Sequence, residues 1–493
     1  MNQESATRDR PPRSGPVTPF GSRIREQATE RPDHRAIVFG ERTITYANLD
    51  REIGSAAAWL HELGVDEGDR VAWLGPNRPA FIVLLLATLR RQAIFVPLNS
   101  RLTRAEHDYQ IGDCAPTIIL VDPSFAEHLA DERVLVVETG IAAPWRSRSD
   151  EESKLSEVDP STPALIVYTS GTTGQPKGAV HTHGSLRATI DNGISAQDFT
   201  SADITLTFLP LFHVGGMNIQ TFPTLAVGGT VILQSAFNPT QVLATIEAER
   251  VTTAVFVPAT MVATIANECF AATDFSSLRG VMTGSSVVPA DLLETFFEHG
   301  ICAGQIYGST ETGPTATALR FADAERFGCA GQAAELTEIQ IAATGEILVK
   351  GPHVFSGYWN SPTATDEAFS DDWFHTGDIG VVDDEGWLTV LDRLNDVIIS
   401  GGENIYAAEV ERVLSDAPGV GEIVVVPRDD DRWGQVPIAY VIAGPDGAPT
   451  LAALQQFAGE RLARFKVPVA LHVVDDLPRT ALGKVQRFRI DPT

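Results

Sequence analysis

The chain has 493 residues, 43% hydrophobic and 20% charged. That composition is ordinary for a globular protein, and the length allows more than one domain. A formal charge of −27 excludes a phosphate-backbone binder, which needs basic surface to displace counterions, so no nucleic-acid partner is expected; it also disfavours docking on anionic membrane.

Residues 1–20 carry charges and prolines but no apolar h-region, and read as a disordered tail rather than a secretory signal. From about Gly40 the pattern is globular. RTITYANLDREIGSAAAWLHELGV reads as a short strand and an amphipathic helix, VAWLGPN (71–77) as a buried strand and turn, and AIFVPLN (93–99) as another strand. AFIVLLLATL (80–89) is too short to span a bilayer and reads as a core helix. Strands alternating with helices predict an α/β fold with a parallel-rich sheet covered on both faces.

After a solvated loop at 146–163, ALIVYTS reads as a strand that runs into YTSGTTGQPKG (168–178), and GAVHTHGSLRATIDN as a helix. A glycine-rich loop between strand and helix is where backbone N–H groups converge on an anion. Gly171, Gly174 and Gly178 allow a tight turn, Ser170, Thr172 and Thr173 supply hydroxyls, and Lys177 supplies positive charge. The spacing is not that of the triphosphatase glycine frame, and taken alone the loop reads equally as a structural turn.

TAVFVPAT (253–260) and GVMTGSS (280–286) read as strands ending in small residues, the side of an open sheet where ligands sit. In QIYGSTETGP (305–314), Tyr307 offers a ring face for a base. Glu311 beside a phosphate site calls for a bridging cation, Mg²⁺. In FHTGDIG (374–380), Asp378 can accept from two ribose hydroxyls or simply hold a turn. GEILVKGPHVFSGYW and GWLTVLDR read as short antiparallel strands. After Arg393 comes an α+β unit of roughly 100 residues, a normal size for a small domain. At the join, Gly401 and Gly402 in LDRLNDVIISGGENIYAAEVE (391–411) would let a thin ligand pass close to the backbone. Lys484 lies in the tail LPRTALGKVQR (477–487). Cys114, Cys269, Cys302 and Cys329 lack CxxC or metal-ligand spacing and read as free thiols packed in the core of a cytoplasmic protein.

Taken together and in this order, YTSGTTGQPKG, LPLFHVGG (209–216), QIYGSTETGP, FHTGDIG, DRLNDVIISGGENIY and LPRTALGKVQR resemble the core motifs of the adenylate-forming superfamily, the acyl-CoA synthetases and their relatives. The resemblance covers roughly residues 20–490. It implies a large N-terminal domain (21–393) and a small mobile C-terminal domain (394–493). It also implies two half-reactions. A carboxylate attacks the α-phosphate of Mg-ATP to give an acyl-adenylate and pyrophosphate; the small domain then rotates, and a thiol, commonly of coenzyme A, releases AMP.

On that resemblance Thr169, Ser170, Gly171, Thr172, Thr173, Gly174 and Lys177 bind the outer phosphates. Thr310 faces the α-phosphate and Glu311 holds Mg²⁺. Gly284, Ser285, Ser286, Tyr307 and Gly308 form the adenine pocket, and Asp378 and Arg393 hold the ribose. Lys484 reaches the α-phosphate and the carboxylate in the first step and withdraws for the second. His213 resembles the gate beside the carboxylate and the pantetheine tunnel, the alternative being a buried packing histidine. Trp433 and Phe465 match positions that flank coenzyme A, or else pack in the core. Val214, Gly215, Met217, Asn218 and Ser309 are the expected acid-pocket residues, some of which can equally be helix packing.

Two positions depart from the family pattern. Asn395 stands at the hinge, where Asp or Lys is usual, and TGSS replaces an alanine-bearing glycine segment on the adenine side. The absence of an acid near LFHVGG argues against an α-amino acid substrate. The open alternatives are a fatty acyl substrate, an acyl-AMP ligase serving a carrier protein, a luciferase-like oxygenase and an inactive binding protein. Lys177, Glu311 and Lys484 together argue against the last. The resemblance to hydroxycinnamate and aryl-CoA ligases favours an aromatic or cinnamic acid. Monomer and homodimer both remain open.

Overall fold

The computed structural model describes residues 20–139, 143–148, 157–169, 176–284, 288, 290–326, 328–400, 403–430, 432–445, 447–479 and 485–492. Two large sheets form the bulk of the chain. One has seven strands in the order Gly357–Tyr358, Lys177–Thr182, Pro163–Thr169, Ile94–Leu98, Arg70–Leu74, Ile118–Val121 and Val134–Val136. Its centre is parallel and its strands are apolar on both faces, as sheet burial from both sides demands. The second has nine strands; its middle, Thr230–Leu233, Ile204–Thr207, Thr253–Phe256, Gly280–Gly284 and Ala303–Tyr307, is also parallel.

The run at 80–89 is the helix Pro79–Arg90, in which every residue from Pro79 to Leu89 is buried. It is therefore a core helix, and no described helix is long and apolar enough to cross a membrane. Pro79 starts it at a position where no N–H is needed.

A smaller antiparallel sheet follows, centred on Trp373–Val382. Beyond it, Val397–Ser400, Glu403–Tyr406, Val420–Asp430, Gly434–Ala443 and Ala470–Val473 build a separate sheet, packed by the helices Ala407–Leu414 and Leu451–Gly459. Its apolar clusters contain only residues from Ile398 onward, and those of the preceding sheets contain none beyond Val390.

One element differs from expectation. Lys177–Thr182 is a strand, paired antiparallel with Pro163–Thr169, and the helix starts only at His183. Residues 170–175 thus connect a hairpin rather than a strand and a helix. Ala179, Val180 and His181 are buried between neighbouring strands, and this tertiary pairing overrides the helix tendency of the segment. Thr182 then caps the helix, accepting the Ser185 N–H. The cysteine expectation also holds only in part. All four are free and Cys114 is buried, its thiol pushed up to about 11 by burial, but Cys269 is exposed.

Candidate active site

Asp378 and Arg393 face each other across adjacent antiparallel strands. Arg393 Nε meets Asp378 Oδ1 at 2.8 Å, and the Tyr307 hydroxyl donates to Oδ2 at 3.0 Å. The Asp378 N–H is held by Thr376 Oγ1 at 3.0 Å, whose own proton goes to the Ile347 carbonyl at 2.7 Å. Burial, and then the Asp378 charge, raises the Tyr307 phenol well above its ordinary value, so it stays a donor. Each oxygen of Asp378 keeps lone-pair capacity for a further donor.

Tyr307 ends its strand, and Gly308 turns the chain. A Cβ on Gly308 would strike the Pro314 carbonyl, so only glycine lets residues 308–314 fold back this tightly. The loop is then pinned. The Ser309 N–H donates to Thr312 Oγ1 at 2.8 Å, and the Thr310 carbonyl accepts from His181 Nε2 at 2.8 Å. Burial holds His181 down, at about 4, so it is neutral and its proton sits on Nε2. Thr310 is buried, and the Ser309 hydroxyl makes no hydrogen bond among the described residues.

Glu311 follows. Its Oε1 accepts from the Tyr358 hydroxyl at 2.9 Å. Lys177 Nζ lies 5.2 Å from the centroid of the same ring, within cation–π range. Tyr358 therefore places one lysine and one carboxylate on a common post. It was not foreseen from the sequence, and its residue type in SGYW carries no signal of a partner 47 positions away. Lys177 pairs with Thr169 in the hairpin ladder, which sets both at the base of the 170–175 connection.

His213 caps a short helical turn, and its Nδ1 accepts the Gly215 N–H at 3.1 Å. That bond leaves the ring proton on Nε2, and burial holds the imidazole down, at about 4. A small cavity of about 30 Å³ opens beside it, lined by Leu209, Pro210, Gly215, Gly216, Ile219, Val255, Val257 and Gly284. Gly284 pairs in register with Ile306, the residue before Tyr307, which joins this cavity to the Asp378 cluster. Val214 and Met217 do not line it; both are packed in the main apolar core. Asn218 is also buried away from it, and its Nδ2 donates to the Gly313 carbonyl at 3.1 Å, tying this segment to the 308–314 loop. Ile219, Val255 and Val257 are the lining residues that sequence reasoning missed.

Trp433 is 48% exposed and Phe465 39% exposed, so core packing accounts for neither. Arg432 stacks on Trp433 at 4.8 Å. Ser170, Gly171, Thr172, Thr173, Gly174, Ser285, Ser286, Gly401, Gly402 and Lys484 lie outside the described residues.

The family model of the AMP-binding enzymes matches residues 24–359, and that of their C-terminal domain matches 409–484. The chain belongs to the AMP-binding enzyme family. An indoleacetate–CoA ligase of Aromatoleum aromaticum is 41% identical, with 94% of this chain and 96% of the relative covered. A feruloyl-CoA synthase of an Amycolatopsis species is 40% identical, with 96% and 98% covered. Among solved structures, the o-succinylbenzoate CoA synthetase of Bacillus subtilis in complex with its acyl-adenylate superposes with a TM-score of 0.83 at 31% identity, covering 96% of this chain and 97% of that one. The same synthetase with ATP and magnesium ion gives 0.85 at 32%, covering 95% and 98%. This AMP-binding enzyme thus shares its whole architecture with proteins that hold ATP in one state and an acyl-adenylate in another.

Proposed function

We propose that the chain is an AMP-forming carboxylic acid–CoA ligase whose acid is aromatic or cinnamic in type. The carrying observation is that Tyr307, Asp378 and Arg393 interlock on one side of a glycine-turned loop, Lys177 and Glu311 share Tyr358 on the other, and an apolar cavity reaches Gly284, in register with Ile306 next to Tyr307. The acid's carboxylate oxygen attacks the α-phosphorus of ATP, and the bond to pyrophosphate breaks. The coenzyme A thiol then attacks the acyl carbon and AMP leaves. Asp378 and Arg393 hold the ribose hydroxyls, and Tyr307 and Gly308 border the base. Thr310 faces the α-phosphate, and Lys177 counters the charge of the outer phosphates. With the hairpin in place of a strand–helix junction, that anion site relies on Lys177 and loop donors rather than on a helix dipole.

Mg²⁺ fits the donor set. Among the described residues no group of three or more His, Cys, Asp or Glu could cage a metal. Glu311 has only one oxygen bonded, to Tyr358, and Mg²⁺ takes one or two carboxylates together with substrate phosphates. Glu311 would hold the ion, which supplies charge neutralisation on the phosphates when bound. His213, neutral with a proton on Nε2, would border the carboxylate and the entering thiol. Trp433 and Phe465 would meet coenzyme A. Lys484 would bring the second cation to the α-phosphate.

The domain division falls between 393 and 396, with Asn395 as hinge; the separate apolar clusters on either side support it. ATP and coenzyme A supply favours the cytoplasm. The likeness to an indoleacetate–CoA ligase and a feruloyl-CoA synthase supports an aryl acid over a long acyl chain. Mg²⁺-dependent ATP–pyrophosphate exchange across aryl, cinnamic and fatty acids tests the reading, and CoA-dependent AMP release separates it from a carrier-protein ligase. Exchange with fatty acids alone would overturn the substrate class. Lys484→Ala should abolish exchange yet spare thioester formation from supplied acyl-adenylate; equal loss of both would count against its role.

A further inference from the structure

The strand Gly357–Tyr358 edges the seven-stranded sheet and pairs antiparallel with Lys177–Thr182, which sets Tyr358 opposite Ala179. Side chains two apart on a strand share a face, so Lys177 lies on the face of Ala179, diagonal to Tyr358. An aromatic ring and a long side chain can meet across that diagonal. They do: Lys177 Nζ stands over the ring, 5.2 Å from its centroid.

Tyr358 is itself fixed from several directions. Its N–H donates to Thr365 Oγ1 at 2.9 Å, and the next N–H, of Trp359, donates to the Gly178 carbonyl at 2.7 Å. Phe355 packs edge-on against the ring, centroids 4.8 Å apart. The Phe355 N–H also donates to the Glu311 carbonyl at 2.8 Å. One residue therefore holds both the backbone of Glu311 and the ring that its carboxylate meets.

A lysine and a glutamate at one site attract each other, and a direct pair would cancel both charges. Among the described residues Lys177 and Glu311 make no ion pair with each other. The ring takes the cation on its face, and its hydroxyl donates to Glu311 Oε1 at 2.9 Å. Each charge has its own seat on one side chain.

We propose that Tyr358 is a positioning residue for Mg-ATP, its hydroxyl aiming the Glu311 carboxylate at the metal and its ring holding the Lys177 ammonium for the outer phosphates. The assignment rests on the acid–CoA ligase reading. The two seats are chemically separable, because phenylalanine keeps the ring and loses the hydroxyl.

Calorimetric titration of the full chain with ATP, in EDTA and in Mg²⁺, reads binding without turnover. The ratio of the two Kd values is the gain from Mg²⁺. Tyr358→Phe should leave the Kd in EDTA within about twofold and cut the Mg²⁺ gain roughly tenfold, as loss of an outer partner of a metal ligand does. Tyr358→Leu should also weaken binding in EDTA, by roughly threefold to tenfold, because the seat of Lys177 is gone. Glu311→Gln alone should cut the Mg²⁺ gain at least as far as Tyr358→Phe, and adding Tyr358→Phe to it should change nothing further. An unchanged Mg²⁺ gain in either single variant overturns the proposal. So does equal weakening by Tyr358→Phe with and without Mg²⁺, or further loss in the double variant, since these mark a structural role. A wild-type chain that binds ATP with no gain from Mg²⁺ overturns it too and leaves nucleotide binding standing. A wild-type chain that binds no ATP in either condition sinks the ligase reading and this proposal with it.

Discussion

Two arginine–carboxylate clusters flank the join between the large and small units, and they are finished to different degrees. Arg487 is 21% exposed and fully engaged: Nη1 to Asp396 at 2.7 Å, Nη2 to Glu411 at 2.5 Å. Glu411 also accepts the Val425 N–H at 2.6 Å. Arg393 is 41% exposed and, among the described residues, makes one contact, with Asp378, whose other oxygen takes a phenol. The closed cluster engages all three guanidinium nitrogens of Arg487 internally. Among the described residues the open one keeps free lone pairs and free N–H groups, which suits the proposed contact with two ribose hydroxyls. Equal chemistry thus serves architecture where it is saturated and recognition where it is not.

Acid should separate the two units most strongly. His181, His183 and His353 are buried in the large unit, and burial holds each at about 4 against an ordinary 6.5. A histidine held low stabilises the fold above pH 6.5 and loses that contribution as pH falls toward 4, because the unfolded chain binds the proton first. The three together remove on the order of 4 kcal/mol per pH unit within that window. Calorimetry from pH 7 to 4.5 should show the large unit's transition falling well ahead of the small unit's; parallel shifts would contradict this.

The closed cluster comes next. Arg487→Met strands two partly buried carboxylates, Asp396 and Glu411, and the small unit should lose about 2–3 kcal/mol in urea unfolding. Asp378→Asn breaks the open cluster instead. The KM for ATP should rise roughly tenfold to hundredfold while stability falls by less than for Arg487→Met, because the isosteric amide can still accept from Tyr307 and the Arg393 side of the pair is exposed. A large stability loss from Asp378→Asn would erase the distinction between the clusters. The smallest effect belongs to Trp433→Ala. Its exposed ring should contribute about 0.5–1.5 kcal/mol to coenzyme A binding, read as a higher KM for coenzyme A with pyrophosphate exchange unaffected.

Much of this was legible in the chain. The buried strands announced themselves as apolar runs, and the motifs carried Tyr307, Asp378 and Arg393, which the fold brings together although Tyr307 and Asp378 lie 71 residues apart. What escaped depends on distant partners. Lys177–Thr182 looks helical until Pro163–Thr169 is beside it. Tyr358 gains meaning only next to Glu311 and Lys177. Val214 and Met217 follow the gate histidine, yet the turn they occupy rolls them into the core while Gly215 and Gly216 face the cavity.

The apolar clusters stop at Val390 and begin again at Ile398. A side-chain hydrogen bond from the Ala408 N–H to Asp392 at 3.0 Å spans the join near Arg393. A crossover between 393 and 396 would therefore divide no hydrophobic core and would leave the Arg487 network whole on its own side. On the proposed reading, choice of acid would be inherited with the first piece and handling of the thiol with the second. The join is a natural seam for recombination, along which one lineage of ligases could trade halves with another and still fold.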